Sequence, residues 1–217
     1  MNNRDYKDFA RNEIYHIYNR GVGKMNIFLD EQDMQVFLSR LKENLFPELV
    51  KHSASSKYAV RRKTLPSGSY DLISYCLMPN HFHLLIKQNG DISITQIILK
   101  VCTGYAKYFN KKYNRVGSIF QDRFKAVRIH KNNQLLWVSY YIHKNPSEAG
   151  LIKNLHDYKW SSFLEYVKRV NDPICNKDLI SGQFQKSNNY LNYFNEQAFE
   201  DYKKNLISKH DLLIDWE

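Results

Sequence analysis

The alternation of apolar and polar residues divides the first half of the chain into strands and one helix. Residues 14–19 alternate as a strand does and are followed by Gly21 and Gly23, which interrupt regular structure. A helix is predicted to begin at residues 30–33, because acidic side chains in a first turn favour the helix dipole. Its apolar positions recur at helical spacing and are Met34, Phe37, Leu38, Leu41 and Leu45.

The second half continues with strands and helices. Two strands are predicted on either side of the turn Met78-Pro79-Asn80, the first from residue 70 and the second through residues 84–86. A second helix is predicted over about residues 92–113, and a further strand over residues 118–129. A third helix is predicted from residue 133 to about residue 145, ending at Pro146. Residues 51–69 show no period and are predicted to form an exposed loop.

This order of elements predicts an α+β fold. A strand-helix-strand-strand-helix-strand order fits a ferredoxin-like or RRM-like antiparallel sheet with helices on one face. We predict one domain over residues 1–169 and an acidic C-terminal extension over residues 170–217. The extension contains several aromatic residues, so we expect it to be helical and docked on the domain.

The composition is that of a globular protein. Hydrophobic residues make up 43% of the 217 positions, and no apolar run approaches the ~18 residues that a membrane span needs. The three cysteines form no Cys-x-x-Cys pair and are odd in number, which argues against a disulfide framework. The polar N-terminal residues lack the apolar stretch of a secretory signal. We therefore expect a cytoplasmic location, in association with the nucleoid if the partner is DNA.

Positive charge is concentrated in one segment of the chain. The net charge is +10, from 32 lysine and arginine residues against 22 acidic ones. Residues 101–170 contain 13 basic and 4 acidic side chains, whereas residues 171–217 contain 5 basic and 8 acidic ones. Aromatic residues lie among these charges, and stacking combined with phosphate contacts is how proteins hold single-stranded nucleic acid. The segment therefore predicts a nucleic-acid partner.

Two histidines provide the strongest candidate chemistry. His81 and His83 flank Phe82 at the start of a predicted strand, so the two imidazoles project from one face and Phe82 from the other. Imidazoles about 6.5 Å apart along a strand can share one divalent metal ion. The alternative for an isolated His-x-His is one hydrogen-bonded core histidine and one solvated histidine. His16 could lie beside them on the first strand, and we expect a structural role for it.

The third helix carries a candidate nucleophile. Tyr141 and Asn145 are four residues apart and share one helix face. Tyrosine can attack a phosphodiester, but a phenol with pKa ~10 needs a metal or a base nearby. A carboxamide one turn away could complete a metal site begun by two histidines. Tyr140 is the adjacent alternative, but its spacing pairs it with Lys144 and we expect it to face the core.

Five segments of the chain form a recognisable series. They are MPNHFHLL at residues 78–85, GYAKYFN at 104–110, RVGSIFQDRF at 115–124, YIHKNPSEAGL at 141–151 and WSSF at 160–163. The first resembles the HUH motif (histidine, hydrophobic residue, histidine) of the single-tyrosine transposases, and the others follow in that family's order and resemble its branch of REP-associated tyrosine transposases. The resemblance covers roughly residues 14–166, and its separate segments are weak singly but strong in this order.

The resemblance implies a role for each matching residue. Tyr141 is the expected nucleophile, attacking a phosphate of single-stranded DNA to give a 5′-phosphotyrosine link and a free 3′-OH. His81, His83 and Asn145 are the expected ligands of Mg²⁺ or Mn²⁺, which polarises the phosphate. The expected partner is single-stranded DNA with hairpins, REP-like or at element ends, cut beside the hairpin and rejoined by a 3′-OH. A homodimer and a monomer both occur among such proteins, and the choice stays open.

Seven basic residues near the end of the second helix and the following strand are candidate phosphate contacts, and we expect about half of them to be merely solubilising. They are Lys111, Lys112, Arg115, Arg123, Lys125, Arg128 and Lys131. Arg123 is the most specific candidate, because it is predicted to lie within the strand. The nearby aromatic residues Tyr105, Tyr108 and Phe109 could stack on bases, but their helical spacing favours core packing for most of them.

Three functions are considered for this sequence. The first is a metal-dependent tyrosine strand transferase, and the second is a catalytically inactive module of the same fold that binds nucleic-acid hairpins. Retention of His81, His83 and Tyr141 favours the first, because a pure binding module has no need for all three. The third, a two-histidine phosphodiesterase, would require a second His-x-Ser/Thr or His-x-His element, and none is evident.

Overall fold

The computed structural model describes residues 9–49, 64–167, 170, 172–184 and 190–195. Most of the predicted loop at residues 51–69, and the end of the C-terminal extension, lie outside these described residues. Within them, the predicted order of strands and helices is confirmed.

In the described residues, four strands and three long α-helices form the fold. In chain order they are β1 (Ile14–Arg20), α1 (Glu31–Leu45), β2 (Tyr70–Met78), β3 (His81–Gln88), α2 (Ile94–Lys112), β4 (Lys125–Ile129) and α3 (Asn132–Glu148). Three short helices follow: α4 (Phe163–Tyr166), α5 (Asp178–Ser181) and α6 (Tyr190–Asn195). None of the helices in the described part of the chain combines the length and apolar character that a bilayer crossing requires.

The four strands form one antiparallel sheet in the order β2-β3-β1-β4. This is the ferredoxin-like arrangement, so the predicted α+β fold class is confirmed. β1 lies between β3 and β4, and its register aligns Tyr18 with His83 and Arg20 with His81. Pro79-Asn80 joins β2 to β3 as a tight turn, as predicted. The centre of the sheet therefore carries the His-x-His segment beside the first strand.

The first face of the sheet is covered by α1 and α2. Asp30 caps α1, since its carboxylate accepts a hydrogen bond of 2.9 Å from the backbone N–H of Asp33. Phe37 of α1 and Tyr105 of α2 are fully buried and meet each other with ring centroids 5.4 Å apart. Phe82 of β3 lies under them, 5.0 Å from the Phe37 ring. The apolar residues that recur at helical spacing in α1 and α2 thus pack against the sheet and form the main core.

The opposite face is covered by α3 and the C-terminal segment. Ile73, Cys76 and Leu85 of the sheet are buried in one cluster with Val138 and Ile142 of α3. The prediction of helices on one face therefore holds for α1 and α2, while α3 lies on the other face. The sheet is enclosed between two layers, and the histidine-bearing face is the one that α3 covers.

A buried polar cluster joins α3 to the C-terminal segment. His143 is fully buried; its Nδ1 lies 2.6 Å from the Tyr190 hydroxyl and its Nε2 lies 2.7 Å from Ser162 Oγ. Burial lowers the pKa of His143 to about 3, because the imidazolium would be desolvated there. Tyr190, in the described part of the C-terminal residues, therefore packs against α3.

Two predicted boundaries are wrong. α3 does not end at Pro146 but continues to Glu148, with the proline ring buried inside its last turns. A proline there removes one helix hydrogen bond, and packing offsets that loss. The predicted strand at residues 118–129 is regular only from Lys125, because turn-type hydrogen bonds hold the segment before it. In that segment the Asp122 carboxylate accepts from the Arg123 backbone N–H at 2.7 Å.

Candidate active site

Strand alternation places the two histidines as the sequence predicts. His81 and His83 project from the sheet face that α3 covers, whereas Phe82 is fully buried in the opposite core. Antiparallel pairing adds His16 of β1 to the same face, next to His83. Three imidazoles therefore lie together on two neighbouring strands, although residue 16 and residue 83 are 67 positions apart in the chain.

Hydrogen bonds orient the two histidine rings of β3. Nδ1 of His81 lies 2.6 Å from the amide oxygen of Asn80, and Nδ1 of His83 lies 2.9 Å from Nε2 of His16. Because an amide oxygen only accepts hydrogen bonds, Nδ1 of His81 donates, and its Nε2 carries the lone pair. The two ring centroids are 4.9 Å apart and their planes are nearly perpendicular. Nε2 is thus the candidate ligand atom of His81, and in His83 Nε2 is the ring nitrogen that does not face His16.

α3 brings Tyr141 to these histidines. The phenol ring lies 5.5 Å from the His83 ring and 6.0 Å from the His16 ring, in edge-on orientation to both. Trp137, one turn earlier, stacks on Tyr141 with centroids 5.4 Å apart and planes 11° from parallel. Asn145, one turn later, is buried. Because α3 continues through Pro146, the spacing that puts Tyr141 and Asn145 on one face lies inside regular helix.

Tyr140 lies elsewhere. Its ring is buried, 4.6 Å from the Phe194 ring of α6, and the Lys144 ammonium lies 5.2 Å from its centroid. The expected pairing with Lys144 and the expected burial are confirmed. Of the two adjacent tyrosines, Tyr141 is therefore the one that contacts the histidines.

A groove opens beside His81. It is lined by polar and charged side chains from β1, the segment before β4, and β4 itself: Tyr18, Asn19, Arg20, His81, Gln121, Asp122, Arg123 and Lys125. Arg20 donates a hydrogen bond to the Gln121 side chain, which orients that amide at the groove wall. Two of the seven predicted DNA contacts, Arg123 and Lys125, line this groove. Arg20 was not among the predictions, because only strand pairing places it opposite His81.

Two of the predicted DNA contacts form ion pairs within the chain. The ammonium of Lys112 lies 2.7 Å from Asp30 and 2.8 Å from the buried Asp33; burial alone would lower the pKa of Lys112, but these hydrogen bonds raise it above its usual range. Arg128 is paired with Glu13, whose hydrogen bond raises the pKa of the guanidinium. These ion pairs give Lys112 and Arg128 structural partners.

The remaining predicted contacts differ in exposure. The guanidinium of Arg115 lies 3.1 Å from the Met25 sulfur and 5.9 Å from the Phe109 ring centroid, so it packs against the helical layer. Lys111 and Lys131 are exposed, at the end of α2 and at the start of α3. Tyr105 and Phe109 are fully buried, as helical spacing predicts.

The side chains at this site fit a divalent metal. Imidazole nitrogens suit ions such as Mn²⁺ and Zn²⁺, and an amide oxygen suits Mg²⁺ as well. Two rings whose centroids lie 4.9 Å apart are close enough for their Nε2 atoms to share one ion. Among the described residues, no group of three or more His, Cys, Asp or Glu side chains is arranged to hold a metal. A site here would thus be completed by Asn145, water or a substrate phosphate.

The comparisons with known proteins agree with this arrangement. A family model described as "Transposase IS200 like" matches residues 36–145, half of the chain, and this segment includes both histidines, Tyr141 and Asn145. The chain belongs to the IS200-like transposase family.

Two individual proteins are similar to the chain. A Haemophilus influenzae protein assigned as a REP-associated tyrosine transposase is 27% identical over 119 residues, which are 49% of this chain and 66% of the relative. The chain thus spans just under two thirds of that relative's length. The solved structure of a REP-associated tyrosine transposase bound to a REP hairpin has a TM-score of 0.55 at 17% identity, and the match covers 79% of this chain and 90% of that one. This likeness confirms the fold.

Proposed function

We propose that this protein is a single-tyrosine DNA strand transferase that cleaves and rejoins single-stranded DNA beside a hairpin. The observation that carries the proposal is the convergence of Tyr141 on α3 with His83 on β3, whose rings lie 5.5 Å apart. These two residues come from distant elements, a strand of the sheet and the helix that packs on it, and Tyr141 lies beside both His83 and His16. A module that only binds hairpins has no use for a tyrosine beside paired histidines.

The chemistry proposed for Tyr141 is a transesterification. Its phenolic oxygen attacks the phosphorus of a DNA phosphodiester, the new O–P bond forms, and the bond from phosphorus to the 3′-oxygen breaks. The phenol gives up its proton and the leaving 3′-oxygen takes one up as a hydroxyl. The 5′-phosphotyrosine keeps the ester bond, so a later 3′-hydroxyl can attack it and restore both DNA and tyrosine.

His81, His83 and Asn145 are the proposed ligands of Mg²⁺ or Mn²⁺. Such an ion, when bound, draws charge from the phosphate and stabilises the transition state. The amide oxygen of Asn80 accepts from Nδ1 of His81, so this ring keeps the orientation in which its Nε2 ligates. Trp137 restricts the Tyr141 ring by stacking, so that the phenol meets a bound phosphate from one side.

The groove beside His81 is the proposed path of the DNA strand. Arg20, Arg123 and Lys125 line it together with the single acid Asp122, which leaves the groove cationic. Lys111 and Lys131 are exposed and could extend the phosphate contacts outward. The hairpin partner is supported by the relative of the same fold that was solved with a REP hairpin.

The proposal is tested by incubating the full chain with a labelled single-stranded DNA library that contains hairpins, with Mn²⁺ or with EDTA. A covalent DNA–protein species on a denaturing gel is expected only with the metal ion. Tyr141→Phe is expected to abolish it. Tyr140→Phe is the matched control and should retain it, because Tyr140 packs against Phe194. Hairpin binding without any adduct, by folded and metal-loaded protein, would instead support the inactive binding module.

A further inference from the structure

His16 is a buried histidine that contacts His83, a proposed metal ligand. It is 1% exposed, and its ring stacks on that of His83 with centroids 5.1 Å apart and planes 27° from parallel. The 2.9 Å contact joins Nε2 of His16 to Nδ1 of His83. A neutral imidazole has one N–H donor and one lone-pair acceptor, so only one of these two nitrogens donates.

The direction of this hydrogen bond decides whether His83 can ligate. If Nδ1 of His83 donates, its Nε2 carries the lone pair that a metal requires. If Nε2 of His16 donates instead, the proton of His83 sits on Nε2 and blocks coordination. Metal-ligating histidines usually donate their second N–H to a carboxylate, carbonyl or water, which fixes the tautomer. In this protein, Nδ1 of His83 faces another imidazole, that of His16.

We propose that His16 is a positioning residue for the metal site, accepting the Nδ1–H of His83 and holding that ring in the ligating tautomer. The inference rests on the proposed metal-binding role of His83. His16 also lies 6.0 Å from the Tyr141 ring, so the same imidazole borders both the ligand and the nucleophile. A lost acceptor at residue 16 therefore weakens metal binding before any chemistry occurs.

Metal affinity measures this role directly. Mn²⁺ is titrated into the full chain near pH 8, where free histidine is neutral, and the bound ion is followed by electron paramagnetic resonance. His16→Leu, which fills the site without an acceptor, is expected to weaken Mn²⁺ binding about 10- to 100-fold. His16→Gln keeps an acceptor at a similar reach from the backbone and is expected to stay within about 3-fold of the wild type. Equal affinities for wild type and a folded His16→Leu variant would overturn the inference.

A control variant separates this inference from the metal site itself. His83→Ala should abolish the same Mn²⁺ binding. If His83→Ala leaves binding unchanged, the proposed metal site is wrong; if it abolishes binding while His16→Leu does not, only the role of His16 is wrong.

The tautomer of His83 can also be measured in the wild-type chain, so this test does not depend on whether a variant at residue 16 folds. Nitrogen-15 NMR of the histidine side chains reports the tautomer of each ring, and the His83→Ala spectrum identifies the His83 signals. We expect His83 to carry its proton on Nδ1 in the metal-free protein. A proton on Nε2 would contradict the inference, whatever the variants show.

Discussion

The buried His143 makes a quantitative prediction about stability and pH. Its imidazole is fully buried between the Tyr190 hydroxyl and Ser162 Oγ, and burial lowers its pKa from 6.5 to about 3. In the unfolded chain the same ring takes up a proton below pH 6.5, whereas in the folded chain it stays neutral until far lower pH. The unfolded state thus binds more protons in this window, and the free energy of unfolding falls as the pH falls.

The size of the effect follows from the two pKa values. Each unit of pH below 6.5 costs about 1.4 kcal/mol for one such group, until the folded-state pKa is reached. Between about pH 7.5 and pH 5, His143 should therefore remove about 2 kcal/mol from the free energy of unfolding. Other groups titrate as well, and the buried Glu165, whose pKa is raised by burial, acts in the opposite direction.

The assay compares the wild type with His143→Gln, an uncharged side chain that can still hydrogen-bond to a hydroxyl. Urea unfolding of each protein is followed by far-ultraviolet circular dichroism at about pH 7.5 and pH 5. For each protein, the loss of unfolding free energy between the two pH values is measured, and only the difference between the two losses is used. Contributions common to both proteins then cancel. The wild type should lose about 2 kcal/mol more than the variant. Equal losses would refute the account of His143 as a buried neutral histidine.

Three further predictions concern the site and its support. Mixing the His83→Ala and Tyr141→Phe variants should not restore adduct formation on gels, because one chain holds both groups 5.5 Å apart. Adduct formation by the mixture, which neither variant shows alone, would instead indicate that α3 is exchanged between chains. Asp33→Ala should lower the free energy of unfolding in urea by about 3 kcal/mol, because it removes a buried, ion-paired carboxylate. Asp30→Ala removes an exposed helix cap and should lower it by only about 1 kcal/mol, so equal losses for the two variants would contradict this prediction. Lys125→Ala should weaken hairpin binding in filter assays and reduce the magnitude of the slope of log affinity against log salt concentration by about 1. An unchanged slope would show that Lys125 does not contact a phosphate.

Local patterns in the sequence were sufficient to predict the strands and helices, and to predict which side chains share one face of a strand. The period of two in β3 places His81 and His83 together, and the period of the helices identifies Phe37 and Tyr105 as core. These properties depend on neighbouring residues alone, which is why the sequence predicts them.

Long-range pairing could not be read in the same way. The contact of His16 with His83 depends on the register of β1 against β3, and the ion pair of Lys112 with Asp33 spans 79 positions. The sequence predicted a structural role for His16 and a DNA contact for Lys112. Local rules also failed at Pro146, because tertiary packing holds α3 together beyond a residue that usually ends a helix. A signal for His16 did exist, since it alternates with Tyr18 on a strand predicted to pair within the same sheet.

The most direct test of the central claim is the identity of the residue that becomes joined to DNA. The protein is reacted with hairpin-containing single-stranded DNA and Mn²⁺, digested with protease and nuclease, and the modified peptide is sequenced by mass spectrometry. The account predicts a 5′-phosphodiester on Tyr141 and none on Tyr140. A phosphodiester on Tyr140 or on another residue, or none while the protein binds the hairpin and the metal, would contradict it.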